Sequence, residues 1–231
     1  MRLAGWLRER GRDVVAFALP QRCPGCGAES EPQRFLCEPC RAGIPRLSIP
    51  LCATCLVEER EPAGCLRHPG CSVWARWLYD PLAESLVHAL KYQERWGLAL
   101  DLGREMAGAL PPGYRPDLVL EVPLHPARRR ERGYNQAALL ADAVAEWTGA
   151  PRVHGALRRV RATPPQAWLG SHERRANLAR AFALGRPREL EGREVLIVDD
   201  VLTTGATLEA CLRPLRAAGA RATGLVLAWA Q

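Results

Sequence analysis

Nothing in this sequence is long and apolar enough to span a bilayer. The most apolar early stretch, VVAFALP at 14–20, is short and closes on a proline, whereas a spanning helix needs about twenty consecutive apolar residues. No Gly-Lys-Thr or Gly-Lys-Ser is present, so the chain lacks a Walker A loop, and no G-x-G-x-x-G follows its first strand pattern. ATP and NAD are therefore disfavoured as ligands. Apart from pairs of cysteines there is no internal repeat. The composition is not that of a disordered chain either, since 231 residues at 48% hydrophobic content suffice for one substantial core and a small second module.

The segment 1–19 interleaves Trp6, Leu7, Val14, Val15, Phe17 and Leu19 with Arg8, Glu9, Arg10, Arg12 and Asp13. That spacing suggests an amphipathic helix packed on its own protein rather than a signal peptide, and a cytoplasmic location is expected. Eight of the nine cysteines then fall between residues 23 and 71, and Cys211 stands alone downstream in a helical pattern that suits core packing. In a chain without an export signal, paired C-x-x-C spacing favours metal thiolates over disulfides.

Cys23, Cys26, Cys37 and Cys40 form C-x2-C-x10-C-x2-C, a zinc-ribbon spacing in which each short turn aims two thiolates at one tetrahedral ion. Cys52, Cys55, Cys65 and Cys71 form a weaker second set, because its last pair is separated by five residues. There His68 can replace Cys65 or Cys71, and cross-braced pairing between the sets is open. One or two structural Zn²⁺ ions are expected, in closed sites unsuited to catalysis.

Beyond the cysteines the periodicity changes. LAESLVHALKY at 82–92 puts Leu82, Leu86, Val87 and Leu90 on one helical face, and LALDLGREMAGAL at 98–110 repeats the spacing until Pro111. DLVLEVPL at 117–124 reads as a strand, followed by a basic turn and a helix from about Asn135 to Trp147. The order recurs with EVLIVDD as a buried strand, TTGAT as a turn and LEACLRPLRAAG as a helix, before a last strand at 221–230. Such alternation predicts a parallel, doubly wound α/β sheet. The expected division is an N-terminal helix at 1–20, a cysteine-rich module at 21–73 and an α/β domain at 74–231.

Ligands of open α/β sheets sit at the carboxyl ends of the strands. There, Asp199 and Asp200 can accept hydrogen bonds from vicinal ribose hydroxyls or hold waters of Mg²⁺. Backbone N–H groups of Thr203, Thr204, Gly205, Ala206 and Thr207, at a helix N-terminus, form a cradle for a 5′-phosphate. Upstream, VPLHPARRRERGYNQ at 122–136 crowds arginines where a diphosphate needs charge-assisted donors. The net charge of +7 arises entirely within 151–193, where ten arginines face three glutamates. That points to an anionic ligand or nucleic acid at this segment. RRVRATPPQAWLGSHERRANLARAF at 158–182 has the prolines and glycine of a lid, with Gln166, Arg174, Arg175 and Asn177 as its contacts and Trp168 placed to stack on a base.

VLIVDDVLTTGAT at 195–207 resembles the signature for phosphoribosyl pyrophosphate (PRPP) of type I phosphoribosyltransferases. With the double cysteine module, RRRERGYNQ, Gln166 and R-R-x-N at 174–177, nearly the whole chain resembles the ComF family of competence proteins. The resemblance implies a type I phosphoribosyltransferase-like parallel sheet flanked by helices, with an N-terminal zinc-binding module. It also implies PRPP bound with Mg²⁺, a pyrophosphate loop containing Leu124, His125, Arg128, Arg130 and Arg132, and a role in taking single-stranded DNA into the cytoplasm beside a DNA-translocating helicase. A working transferase in nucleobase salvage is the alternative that these residues leave open.

Overall fold

The structure is a computed structural model and describes residues 22–31, 34–47, 50–59, 64–93, 95–160, 178, 181–185 and 190–231. The helix expected at 1–20 lies outside them.

Four parallel strands carry the fold: β2 (Ser72–Leu78), β3 (Leu118–Glu121), β6 (Glu194–Leu202) and β7 (Arg221–Trp229). With the two-residue β1 (Leu51–Cys52) they form a sheet in the order β1-β2-β7-β6-β3, β1 running antiparallel at the edge. β6 lies inside the sheet because its side chains are apolar on both faces, the mark of a covered parallel strand. Val195 and Ile197 join one core, and Leu196 and Val198 the other.

On the first face lies α6 (Ala206–Ala217), burying Leu208, Leu212 and Leu215. The opposite face is covered by α2 (Pro81–Tyr92), α3 (Leu98–Ala107) and α5 (Gln136–Thr148), through Leu86, Leu90, Leu102, Met106, Leu140 and Val144. Each such leucine, withdrawn fully from water, contributes about 2 kcal/mol. Two short helices, α1 (Glu38–Gly43) and α4 (Pro126–Arg132), and an antiparallel pair, β4 (Leu157–Arg159) with β5 (Phe182–Leu184), complete the described elements.

Two features depart from the sequence reading. β2 runs across the boundary expected at 73/74, with Val73, Ala75 and Trp77 buried. The basic turn after β3 is the seven-residue helix α4. It buries no residue, so no apolar periodicity announced it. His125 caps its start, accepting from the Ala127 N–H at 3.2 Å, and Gly133 ends it at φ 81°.

The cysteine-rich part is built into both cores. Cys23, Cys37 and Cys40 pack with Ile44, Trp77 and Leu86, whereas Cys52 and Cys71 pack with Val73 and Leu208. The first cluster is docked by α3. Asp101 accepts from the N–H groups of Phe35 and Leu36 at 2.6 and 3.2 Å. One turn later the buried Glu105 pairs with Arg41 of α1 at 3.0 Å and Arg76 of β2 at 2.9 Å. Glu105→Gln keeps the shape but leaves the Arg76 guanidinium without its carboxylate partner, whereas Arg41 keeps Glu38 at 2.6 Å. A loss of about 2 kcal/mol in urea unfolding is expected, and a loss under 0.5 kcal/mol would show that the pairs add nothing.

Candidate functional site

β6 continues past its apolar half through both acids, and the chain turns over Thr203, Thr204 and Gly205 into α6. Gly205 is the N-cap in the left-handed conformation, φ 73°. It has a second reason to be glycine: a Cβ there would lie 1.6 Å from the carbonyl oxygen of Ala53. The first N–H groups of α6 have no acceptor within the helix and carry its positive dipole end. Asp199, Thr203, Gly205, Ala206 and Thr207 line one small cavity at this point.

The two acids serve different surroundings. Asp199 accepts from the N–H of Asp200 at 2.9 Å and lines the loop cavity. Burial, then the neighbouring Asp200 carboxylate, push its carboxyl well above the usual range. Asp200, only 5% exposed, accepts from the N–H of Val201 at 2.8 Å and pairs with the Lys91 ammonium at 2.5 Å. Burial alone would lower Lys91, but Asp200 and then Asp199 outweigh it and hold the ammonium above its ordinary value.

Lys91 opens onto a cleft of about 310 Å³ lined with Tyr92, Arg128, Glu131, Arg132 and Tyr134. Arg132 donates to Gln136 Oε1 at 2.5 Å and stacks 5.0 Å from the Tyr92 ring centre, and Gln136 Nε2 reaches Asp200 at 3.4 Å. A continuous polar chain thus joins the expected pyrophosphate segment to the second acid. On a helix, residues four apart share a face, which is why Arg128 and Arg132 line the cleft and Arg130 does not. Leu124 and His125 precede the helix and are half-buried. Gln166, Trp168, Arg174, Arg175 and Asn177 lie outside the described residues, but β4 pairs with β5 at the flanks of that segment, Leu157 opposite Leu184.

Sequence reasoning missed Lys91, Tyr92, Tyr134 and Gln136. The first carried a signal that was overlooked, since it is the only lysine in the chain. Gln136 lies within the arginine-rich motif but was assigned no role.

Both cysteine clusters have the geometry of tetrahedral sites. The ligand atoms of Cys23, Cys26, Cys37 and Cys40 lie within 4.8 Å of one another, as do those of Cys52, Cys55, Cys65 and His68. Zinc–thiolate bonds near 2.3 Å imply sulfur–sulfur edges of about 3.8 Å. Cys26 to Cys37 spans 3.6 Å, Cys55 to Cys65 spans 3.7 Å, and His68 Nδ1 lies 3.6 Å from both Cys52 and Cys65. Burial raises the Cys23 thiol, but N–H donors of Cys37, Cys26 and Gly25 outweigh it and bring it to about 7, whereas burial holds Cys37 and Cys40 above the usual thiol range. The fourth member of the second cluster is His68 and not Cys71. Cys71 stands at the entrance to β2, where its sulfur accepts from Arg216 at 3.1 Å.

An acid pair ending a central parallel strand, with a threonine-glycine turn opening the next helix, defines a phosphoribosyltransferase-type domain. The family model "Phosphoribosyl transferase domain" matches residues 158–231. The chain is also 34% identical over 187 residues to the DNA utilization protein YhgH of Salmonella typhimurium, covering 75% of this chain and 80% of that protein. Competence protein F of Haemophilus influenzae is 32% identical over 200 residues, covering 80% and 85%. Over 90 residues, 39% of this chain and 48% of the relative, it is 36% identical to the adenine phosphoribosyltransferase of Mycobacterium marinum. The chain belongs to the ComF family, with competence protein F and YhgH. Among the described residues no helix is long and apolar enough to cross a membrane.

Proposed function

We propose that the protein binds PRPP, or a closely related ribose phosphate, with Mg²⁺, and uses this site in handling single-stranded DNA during uptake. The observation carrying the first half is the convergence of two acids, a glycine-capped helix start and the Lys91/Arg128/Arg132 cleft at one end of β6. In this reading the loop N–H groups hold the 5′-phosphate and the acids take the ribose hydroxyls. The diphosphate, with its magnesium, lies toward Lys91, Arg128 and Arg132, whose charges offset its own.

The DNA half draws on the names of the relatives, "DNA utilization protein" and "Competence protein F". The rim of the cleft supports it chemically. Tyr92, 61% exposed, lines the cleft with the arginines, and Trp96, 56% exposed, packs edge-on against Tyr134 of the same lining with ring centres 6.1 Å apart; exposed aromatics among cations suit stacked single-stranded bases. The protein is then expected in the cytoplasm, beside a DNA-translocating helicase.

Calorimetric titration tests the ribose-phosphate reading. PRPP with Mg²⁺ is expected to bind, and Asp199→Ala to weaken it at least tenfold through loss of the hydroxyl contacts. Absence of binding to the unmodified protein refutes the site. Protons are expected to leave on binding, because ribose hydroxyls donating to Asp199 favour its ionised form, and its carboxyl is raised in the free protein. The observed heat will then differ between buffers of unlike ionisation enthalpy, and identical heats count against it. Pyrophosphate release against a panel of nucleobases, in the same preparation, reads turnover.

A further inference from the structure

The two cysteine clusters dock on opposite faces of the sheet, and only one touches the phosphate loop. The first meets the face bearing α2 and α3, through Asp101, Glu105 and the contact of Gly25 with Leu82. The second lies along α6. At the N-terminal end of that helix, the turn carrying Cys52 and Cys55 places the fully buried Ala53 against Gly205. Ala53 is fixed in turn by its N–H bond to the Cys71 carbonyl at 2.7 Å. At the other end, Arg216 donates to the Pro69 carbonyl at 2.7 Å and to Cys71 sulfur. Ala53, Pro69 and Cys71 therefore grip α6 at its N-cap and in its last turn.

We infer that a zinc ion held by Cys52, Cys55, Cys65 and His68 braces the phosphate loop, so that occupancy of this second site sets the affinity for ribose phosphate. The inference rests on the ribose-phosphate reading above. Three thiolates and an imidazole in tetrahedral reach select zinc among common divalent ions. The ion cross-links the 52–55 turn to the 65–68 turn. Without it, three sulfurs crowd one point with no ion to bridge them, and only backbone hydrogen bonds such as Ala53 N–H to the Cys71 carbonyl hold the Ala53 carbonyl beneath Gly205. The loop must then be ordered when ligand binds, and each backbone residue to be re-ordered weakens binding about tenfold. Cys71 is no ligand in this scheme; it holds Arg216 and so aligns the helix.

Three variants of the full chain test it: His68→Ala, His68→Cys and Cys71→Ser. The readouts are zinc content, hydrogen exchange at Thr203–Leu208 and PRPP affinity. His68→Ala should retain one zinc of two, exchange faster at these amides and bind PRPP at least tenfold more weakly. His68→Cys, which restores a fourth thiolate, should recover all three properties, and Cys71→Ser should keep both ions. Exchange separates the two readings: faster exchange in His68→Ala together with no PRPP binding by the unmodified protein would remove the ligand assignment and leave the brace standing. Retention of both ions by His68→Ala, loss of one by Cys71→Ser, or loss of one ion from His68→Ala with unchanged loop exchange would each overturn it.

Discussion

Lys91→Met should destabilise the protein by about 3 kcal/mol, the cost of leaving the buried Asp200 carboxylate without its cation. The pair is well shielded, the two side chains being 22% and 7% exposed, so the discount appropriate to surface pairs is small. What remains to Asp200 is the Gln136 amide at 3.4 Å and the Val201 N–H, which donate without neutralising. Removing the acid as well, in Lys91→Met/Asp200→Asn, should recover most of the loss, because no unpaired charge is then buried. Additive losses in the double variant would show that the pair is not coupled. Chemical denaturation of the three proteins under one set of conditions makes the measurement.

Gly205→Ala should be more damaging still. A left-handed conformation costs a non-glycine residue about 1–2 kcal/mol, and here the added Cβ also meets backbone, the Ala53 oxygen at 1.6 Å. Either the loop or the 52–55 turn must move, and a total loss above ~4 kcal/mol, with PRPP binding abolished, is expected. Gly133→Ala provides the reference. That glycine has φ 81° but nothing within 4 Å of a Cβ, so only the conformational part should appear. Equal losses at the two positions would mean that the contact with Ala53 carries no energy.

The part of the site that was legible in the sequence is the part compressed into one stretch. VLIVDDVLTTGAT contains its own strand, acids and cradle, and its residue types follow directly from the chemistry of a ribose phosphate. The sheet class was legible for the same reason, since buried parallel strands read as apolar runs. What was obscure depends on distance along the chain. Lys91 reaches Asp200 only because α2 packs over the end of β6, and no local pattern records that. α4 was hidden by its own solubility, an arginine-rich helix with no buried side. β2 alternates strictly, but Arg76 interrupts its apolar appearance, and the reason that arginine is tolerated there is Glu105, on another element. In the second cysteine set, counting residues favoured Cys71, whereas the strand entrance draws that residue toward Arg216.

β1 is two residues long and ends the sheet beside β2. A parallel sheet left open at such an edge offers unpaired N–H and C=O groups to any extended chain. β1 fills part of that edge, and its own outer side is crossed by the bridge from Leu51 to Glu58, which leaves little length to template another strand. The cysteine turn that supplies β1 therefore also guards against self-association. The form of this protein most prone to aggregate should be one in which the 52–55 turn is displaced from β2, even while its central strands remain intact.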